Sequence, residues 1–253
     1  MEHDAQLKIQ LKRLKLSGIL DTLDLRLLES QQNQLDYKSF LSLVLQDELE
    51  ARQMRKVKRL LRRAHFGHEQ TLESFDFSLA PALNATLIRE LATCRFLERG
   101  EGVILTGPPG TGKTHLAKAL GHAACRHHYT VYFSKFHRLF IDFTQADLAG
   151  RSEKLLKTLL KIDLLILDDF AFQKIDQPSS EYLYNLVDGR YGAKSIILTS
   201  NRAMTDWMGI FPDPVIAGAI LDRLTHQACQ IQLKGESIRK KLAQKNITEH
   251  LQS

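Results

Sequence analysis

The chain has 253 residues, 43% of them hydrophobic and 25% charged, with a formal net charge of +6. That length can bury a sizeable core in one or two domains, and no run approaches the roughly eighteen continuous apolar residues of a membrane span. Cys94, Cys125 and Cys229 are odd in number, widely spaced and without a CxxC pair, which excludes a disulfide framework or a zinc finger, and Glu2, Asp4 and Lys8 argue against a secretory signal, so a cytoplasmic location without a membrane partner is expected.

Residues 1 to about 66 read as helical, with Gly18 their single glycine and no proline before Pro81. Leu7, Leu11 and Leu14 recur at helical spacing, and Ser17-Gly18 ends that first helix. A second helix is expected over roughly 19–32. A third is expected from near Asp36 to Ala64, with Phe40, Val44, Met54, Val57 and Leu61 as its apolar stripe. The pattern then breaks. The expected organisation is a helical domain over 1–68, a linker over 69–80 and a second domain over 81–253. In that second part short apolar strands alternate with helical patterns: 103–106, 130–133, 164–167, 195–199 and 230–233. Such alternation implies βαβ units and a parallel sheet covered on both faces, an α/β fold.

Gly107-Pro108-Pro109-Gly110-Thr111-Gly112-Lys113-Thr114 fits G-x-x-x-x-G-K-[ST] in full, after a predicted strand and at the start of a predicted helix. Glycines let the loop curl so that backbone N–H groups point inward at phosphate oxygens, and the helix N-terminus adds a favourable dipole. Lys113 can reach the β and γ phosphates, Thr114 can ligate Mg²⁺, and His115 follows directly at the same site. Leu164-Leu165-Ile166-Leu167-Asp168-Asp169 reads as a buried strand that delivers two carboxylates to the ligand edge of the sheet. Asp168 is then the magnesium carboxylate, and Asp169 orients or deprotonates the attacking water. Asn201, at the end of the strand Ile196-Ile197-Leu198-Thr199, can hydrogen-bond that water or the γ phosphate.

Residues 51–65 carry seven Lys and Arg and no acid: Arg52, Arg55, Lys56, Lys58, Arg59, Arg62 and Arg63. On a helix these form a basic face suited to the phosphates of duplex DNA. A solvated surface, a helicase-binding surface and an anionic-membrane patch stay open beside that reading.

Taken together, the phosphate loop, Asp168-Asp169 and Thr199-Ser200-Asn201 resemble AAA+ ATPases, in the branch that holds the DnaC helicase loader and the IstB-type transposition helper. Leu72 to Phe77, Leu167 to Phe170, Thr199 to Arg202, Asp213-Pro214, Leu221 to Leu224 and Lys234 to Ser237 look most like the IstB type, over most of 70–240. The resemblance implies ATP and Mg²⁺ as cofactors, slow and DNA-stimulated hydrolysis, and a five-stranded parallel sheet in the order 5-1-4-3-2. It implies Asn201 as sensor 1 and Arg223 as an arginine finger reaching a neighbouring subunit, with Arg190 a second candidate for a contact across subunits. Phe75 and Phe77 are placed near the adenine by analogy. The chain departs from the wider family by Asp-Asp in place of Asp-Glu, and from its own branch by Ile238 in place of Tyr, which leaves a role around Arg239 unassigned. Only about twenty residues follow the fifth strand, so no lid domain is expected.

The implied activity is that of an ATP-dependent helper that assembles as an oligomer on target DNA and recruits the transposase of the same element. A DnaC-like helicase loader and an ATP-switched scaffold that does not hydrolyse are the alternatives.

Overall fold

The computed structural model describes residues 2–68 and 70–241. The chain divides into two compact units, Met1–Arg59 and Leu60–Ser253. The first holds α1 (Glu2–Arg13), α2 (Ser17–Asn33) and α3 (Tyr37–Arg63) as far as Arg59.

Gly18 lets α2 and α3 cross closely, since a Cβ there would stand 2.7 Å from the Cα of Glu48 and from the Cβ of Ala51. Glu48 exploits the approach. One of its oxygens accepts from the Gly18 and Ile19 amides at 2.6 and 3.4 Å, satisfying donors that open α2. Its other oxygen accepts from Arg52 at 2.7 Å and Arg55 at 3.1 Å. Burial alone pushes the Glu48 carboxyl up, but Arg52 and those amides outweigh it and hold it below the usual range. Leu11, Ile19, Leu23 and Val44 form the small core. The expected stripes are only partly covered, because three helices enclose one narrow seam: Leu7, Leu14 and Met54 lie off it and are exposed.

The second unit is built on five parallel strands: β1 (Gly102–Thr106), β2 (Val131–Lys135), β3 (Leu164–Asp168), β4 (Ser195–Ser200) and β5 (Ala228–Gln232). Their order is β2-β3-β4-β1-β5, the expected 5-1-4-3-2 read from the other edge. The register sets Thr106 beside Ser200 and Leu167 beside Leu198, so the loops after β1, β3 and β4 leave the sheet at one edge. Every residue of β3 and β4 is buried, as central strands covered on both faces require.

The first shielding helices are α4 (Ala85–Ala92), α5 (Arg95–Glu98) and α6 (Lys113–Arg126). After β2 come α7 (Phe136–Leu148) and α8 (Ser152–Lys161), and then α9 (Gln177–Arg190) and α10 (Pro214–His226). Apolar residues of α4 and α6 pack on one face of the sheet, with Val103, Leu105 and Ile166. Those of α7, α9 and α10 pack on the other, with Ile104, Leu165 and Leu198. Side chains cap the later helices: Asp176 accepts from Ser179 N at 3.0 Å, and Asp213 from Val215 N at 2.7 Å.

The stretch expected as a linker is packed structure. Leu60, Ala64, Phe66, Phe75 and Ala80 are buried in the core of the second unit, and Phe133 N donates to Ala64 O at 2.9 Å. Within 70–80 the buried residues are Thr71, Phe75 and Ala80, isolated among polar neighbours, so no periodicity marks them in the sequence. Beyond β5 the chain returns to the phosphate loop, where Ile238 N donates to Gly110 O at 2.9 Å. Residues 242–253, on which the expected absence of a lid partly bears, lie outside the described residues.

Candidate nucleotide site

β1 runs directly into the loop Gly107–Gly112, and α6 opens at Lys113. Gly112 has φ +95°, and a Cβ there would sit 2.7 Å from the ring of Phe75, so the loop curls in a way only glycine allows. Thr111 Oγ1 donates to Pro108 O at 2.9 Å and tightens the curl. Lys113 is only 5% exposed, and its Nζ donates to Gly107 O at 2.7 Å and Pro108 O at 2.8 Å. Burial pushes the Lys113 ammonium down; Asp169 and Asp168 offset part of that, while Arg239 adds to it.

Two carboxylates arrive at the end of β3. Asp168, 3% exposed, accepts through Oδ1 from Thr114 Oγ1 at 2.7 Å and from Thr199 Oγ1 at 2.6 Å. Thr199 also accepts from Asp169 N at 3.0 Å. Asp169 has φ +59°, a left-handed conformation that costs a non-glycine residue about 1 kcal/mol and turns its side chain out of the strand direction. Phe170 N donates to Thr199 O at 2.7 Å and Ser200 Oγ to Phe170 O at 2.8 Å, which pins this turn to β4. Asn201 Nδ2 reaches Asp169 Oδ1 at 3.4 Å, and Lys135 from β2 lies 3.8 Å from Asp169 Oδ2.

These groups face a cavity of about 410 Å³. Lys113, Thr114, Asp169 and Asn201 line its polar part. Gln70, Phe75, Asp76, Leu79, Ile238 and Arg239 line it as well. Hydroxyl and carboxylate oxygens 2.7 Å apart, at Thr114 and Asp168, are a hard donor pair of the kind Mg²⁺ takes when phosphate oxygens and water complete its shell. Curled amides, a buried ammonium and a metal-binding pair can hold a triphosphate. Asp169 and Asn201 stand where a water could be oriented toward it.

The expected site residues separate into groups. Gly110, Gly112, Lys113, Thr114, His115, Asp169 and Asn201 line the cavity with Pro109, while Gly107, Pro108, Thr111 and Asp168 act through their bonds to Lys113, Thr114 and one another. His115 Nε2 donates to Thr71 O at 2.9 Å, tying the segment before Phe75 onto α6. Phe75 lines the cavity, whereas Phe77 is set behind it, edge-on to Phe75 at 4.9 Å and beneath the Arg89 guanidinium.

Arg190 is a correction. It is fully buried, donating to Leu159 O at 2.6 Å, Ile162 O at 2.8 Å and Ser195 O at 2.7 Å. Burial pushes its guanidinium down to about 10, with Asp163 opposing. A side chain that closes the ends of three backbone segments is not free to contact another subunit. Arg223 does not line the cavity of its own chain. It pairs with Asp188 at 2.9 Å and lies over the Tyr184 ring at 5.4 Å, with its side chain 26% exposed.

Of the seven basic residues between 51 and 65, Arg52 and Arg55 are tied to Glu48, and all seven are exposed. Sequence reasoning passed over Lys135 and Gln70, which carry no signal of their own; it met Thr199 only as part of the Thr199-Ser200-Asn201 phrase, without a role, and left Arg239 unassigned.

Residues 9–246 match the family model described as IstB-like ATP binding protein. Over 237 residues the chain is 41% identical to an insertion-sequence ATP-binding protein of Mycobacterium tuberculosis, covering 93% of this chain and 94% of that one. It is 39% identical to the insertion sequence IS21 ATP-binding protein of Pseudomonas aeruginosa, over 93% of this chain and 89% of the relative. Among solved structures, the DnaC helicase loader aligns with TM-score 0.54 at 23% identity, over 70% of this chain and 99% of that chain. AMPPCP-bound DnaA from Aquifex aeolicus aligns with TM-score 0.57 at 23% identity, over 73% of this chain and 56% of that one. Both share the fold.

Proposed function

The chain belongs to the IstB-like ATP-binding proteins, and from that premise we propose that it is an ATP-hydrolysing helper of DNA transposition, which assembles on target DNA when it holds ATP and recruits the transposase of its own element. The observation that carries the ATPase part is the bond between Thr114 Oγ1 and Asp168 Oδ1 at 2.7 Å, which joins the phosphate loop to the carboxylate strand at one metal position.

Lys113 and the loop amides bind the phosphates. Thr114 and Asp168 would hold Mg²⁺, which when bound neutralises charge on the phosphates. Asp169 accepts the proton of the attacking water or orients it, and Asn201 fixes the position of that carboxylate. Arg223 completes the site of a neighbouring subunit, where its charge stabilises the transferring phosphoryl group. To do so it must exchange Asp188 for the neighbour's phosphate.

Transposition is preferred over helicase loading because the insertion-sequence relatives are 41% and 39% identical over nearly the whole chain, whereas likeness to the helicase loader extends to the fold alone. Exposed cations on α3 support a DNA partner. One DnaA neighbour is itself bound to single-stranded DNA.

Steady-state phosphate release from the wild type and Asp169→Asn, with and without duplex DNA, tests the ATPase. Slow, DNA-stimulated turnover that the substitution abolishes is expected. Equal rates in the two proteins would take Asp169 out of the chemistry. Footprinting and particle sizing with ATP, ADP and no nucleotide test the assembly, and DNA binding indifferent to nucleotide would count against it.

A further inference from the structure

After β5 the chain crosses back over the phosphate loop, and the loop is shaped to receive it. Leu233 N donates to Thr106 O at 2.7 Å, at the end of β1, and Ile238 N donates to Gly110 O at 2.9 Å, within the loop itself. A Cβ on Gly107 would collide with the Leu233 carbonyl oxygen, and one on Gly110 with the Ser237 hydroxyl. Two of the loop glycines therefore make room for this strap as well as for the curl.

Beyond that anchor the strap turns, since Lys240 N and Lys241 N both donate to Ser237 O, at 3.0 and 3.1 Å. The turn holds Arg239 beside the loop. Arg239 lines the nucleotide cavity with Gly110, Lys113 and Thr114. It also borders a neighbouring hollow over Pro108, the only one of the two that Lys240 and Lys241 line. The Arg239 guanidinium has no hydrogen bond and no ion pair among the described residues.

Burial pushes the Lys113 ammonium down, Asp169 and Asp168 oppose the fall, and the Arg239 charge adds to it. Two cations thus repel each other across one cavity. A polyanion lying between them removes that repulsion, and a guanidinium presents paired planar donors that match phosphate oxygens. We infer that Arg239 is a second phosphate-binding cation of this site, carried to the loop by the strap, where it binds oxygens of the nucleotide that Lys113 holds. The proposal rests on the reading that this cavity holds ATP, and it ties the chain after β5 to nucleotide occupancy.

The test measures the ATP affinity of the full-length protein by calorimetry at several salt concentrations, for wild type, Arg239→Ala, Arg239→Lys, Lys240→Ala and Lys113→Ala. Arg239→Ala is expected to weaken ATP about tenfold or more, the worth of a charge-assisted hydrogen bond, and to flatten the salt dependence. Arg239→Lys keeps the charge, loses the paired donors and should recover part of the affinity. Lys240→Ala removes the same charge one residue along and should stay within about twofold of wild type, because exposed charges that make no contact are screened. The melting temperature of the nucleotide-free protein should be the same for wild type and Arg239→Ala.

Wild-type affinity in Arg239→Ala, while Lys113→Ala abolishes binding, would overturn the assignment and leave the site standing. Equal losses in Arg239→Ala and Lys240→Ala would also overturn it, since the effect would then be that of net charge and not of a contact. So would a lowered melting temperature in nucleotide-free Arg239→Ala, which would assign the lost affinity to packing of the strap. Wild-type protein that binds no ATP, or Lys113→Ala that binds it as well as wild type does, would remove the nucleotide site itself and Arg239 with it.

Discussion

Thr199 holds both carboxylates at once. Its hydroxyl donates to Asp168 at 2.6 Å and accepts from the Asp169 amide at 3.0 Å, so one oxygen sets the position of Asp168 and of the left-handed turn that carries Asp169. Thr199→Val keeps the shape of the side chain and removes both bonds. Because Lys113 and the loop amides are untouched, ATP affinity should change little, while turnover should fall by roughly tenfold to a hundredfold, the scale on which a misplacement of about 1 Å acts. Thr199→Ser should restore most of the rate. Equilibrium binding and single-turnover hydrolysis on the three proteins check this. A loss of affinity equal to the loss of rate would mean that Thr199 supports binding and not geometry.

The helices of the first unit are joined by polar contacts more than by apolar area. Asp47 on α3 accepts from Arg26 Nε at 2.8 Å, from Arg26 Nη2 at 2.7 Å and from Thr22 Oγ1 at 2.6 Å. The Arg26 guanidinium, ahead of the opposing effect of burial, holds the Asp47 carboxyl down at about 2. A carboxyl lowered in the folded state contributes stability above its unfolded value, and loses it as pH falls through the folded one. Asp47→Asn should therefore destabilise the protein by about 1–2 kcal/mol at neutral pH. The deficit should shrink below pH 4 and vanish only below pH 2. Chemical denaturation of both proteins across that range, followed at the first unit, measures it; a deficit independent of pH would assign it to packing. At the same scale, the end of α3 belongs to the core of the second unit. Deleting residues 1–59 should leave a folded nucleotide-binding unit. Deleting 1–68 also removes Leu60, Ala64 and Phe66, buried groups whose loss costs several kcal/mol each for the larger side chains, and that protein should not fold. Circular dichroism and ATP binding on the two truncations separate these outcomes.

Across the whole molecule, what could be read in the sequence was what is contiguous. Leu164 to Asp168 announces a buried strand because every residue of it is covered. The phosphate loop is recognisable because its glycines, lysine and threonine lie within eight positions. Thr199 and Arg190 take their meaning from contacts made across about thirty residues, and no local pattern carries that. The same distinction applies to the basic run on α3, where seven cations look alike in sequence but not in the fold. Arg52 and Arg55 are engaged by Glu48, whereas Lys56, Lys58 and Arg59 are held in no ion pair among the described residues. If the run meets DNA phosphates, the unpaired cations should supply most of the counterion release. Replacing Lys56, Lys58 and Arg59 by alanine should lower the slope of log affinity against log salt by about 0.9 for each phosphate no longer neutralised, uniformly across DNA sequences and without loss of stability. Arg52→Ala should act differently: it strips a partner from a buried carboxylate, so it should lower the melting temperature of the protein while changing the salt slope less. DNA titrations at several salt concentrations, paired with thermal unfolding, discriminate the two classes. An unchanged slope in the triple variant would move the DNA-binding surface off α3, and the ATPase reading, which rests on Thr114, Asp168 and Asp169, would be unaffected.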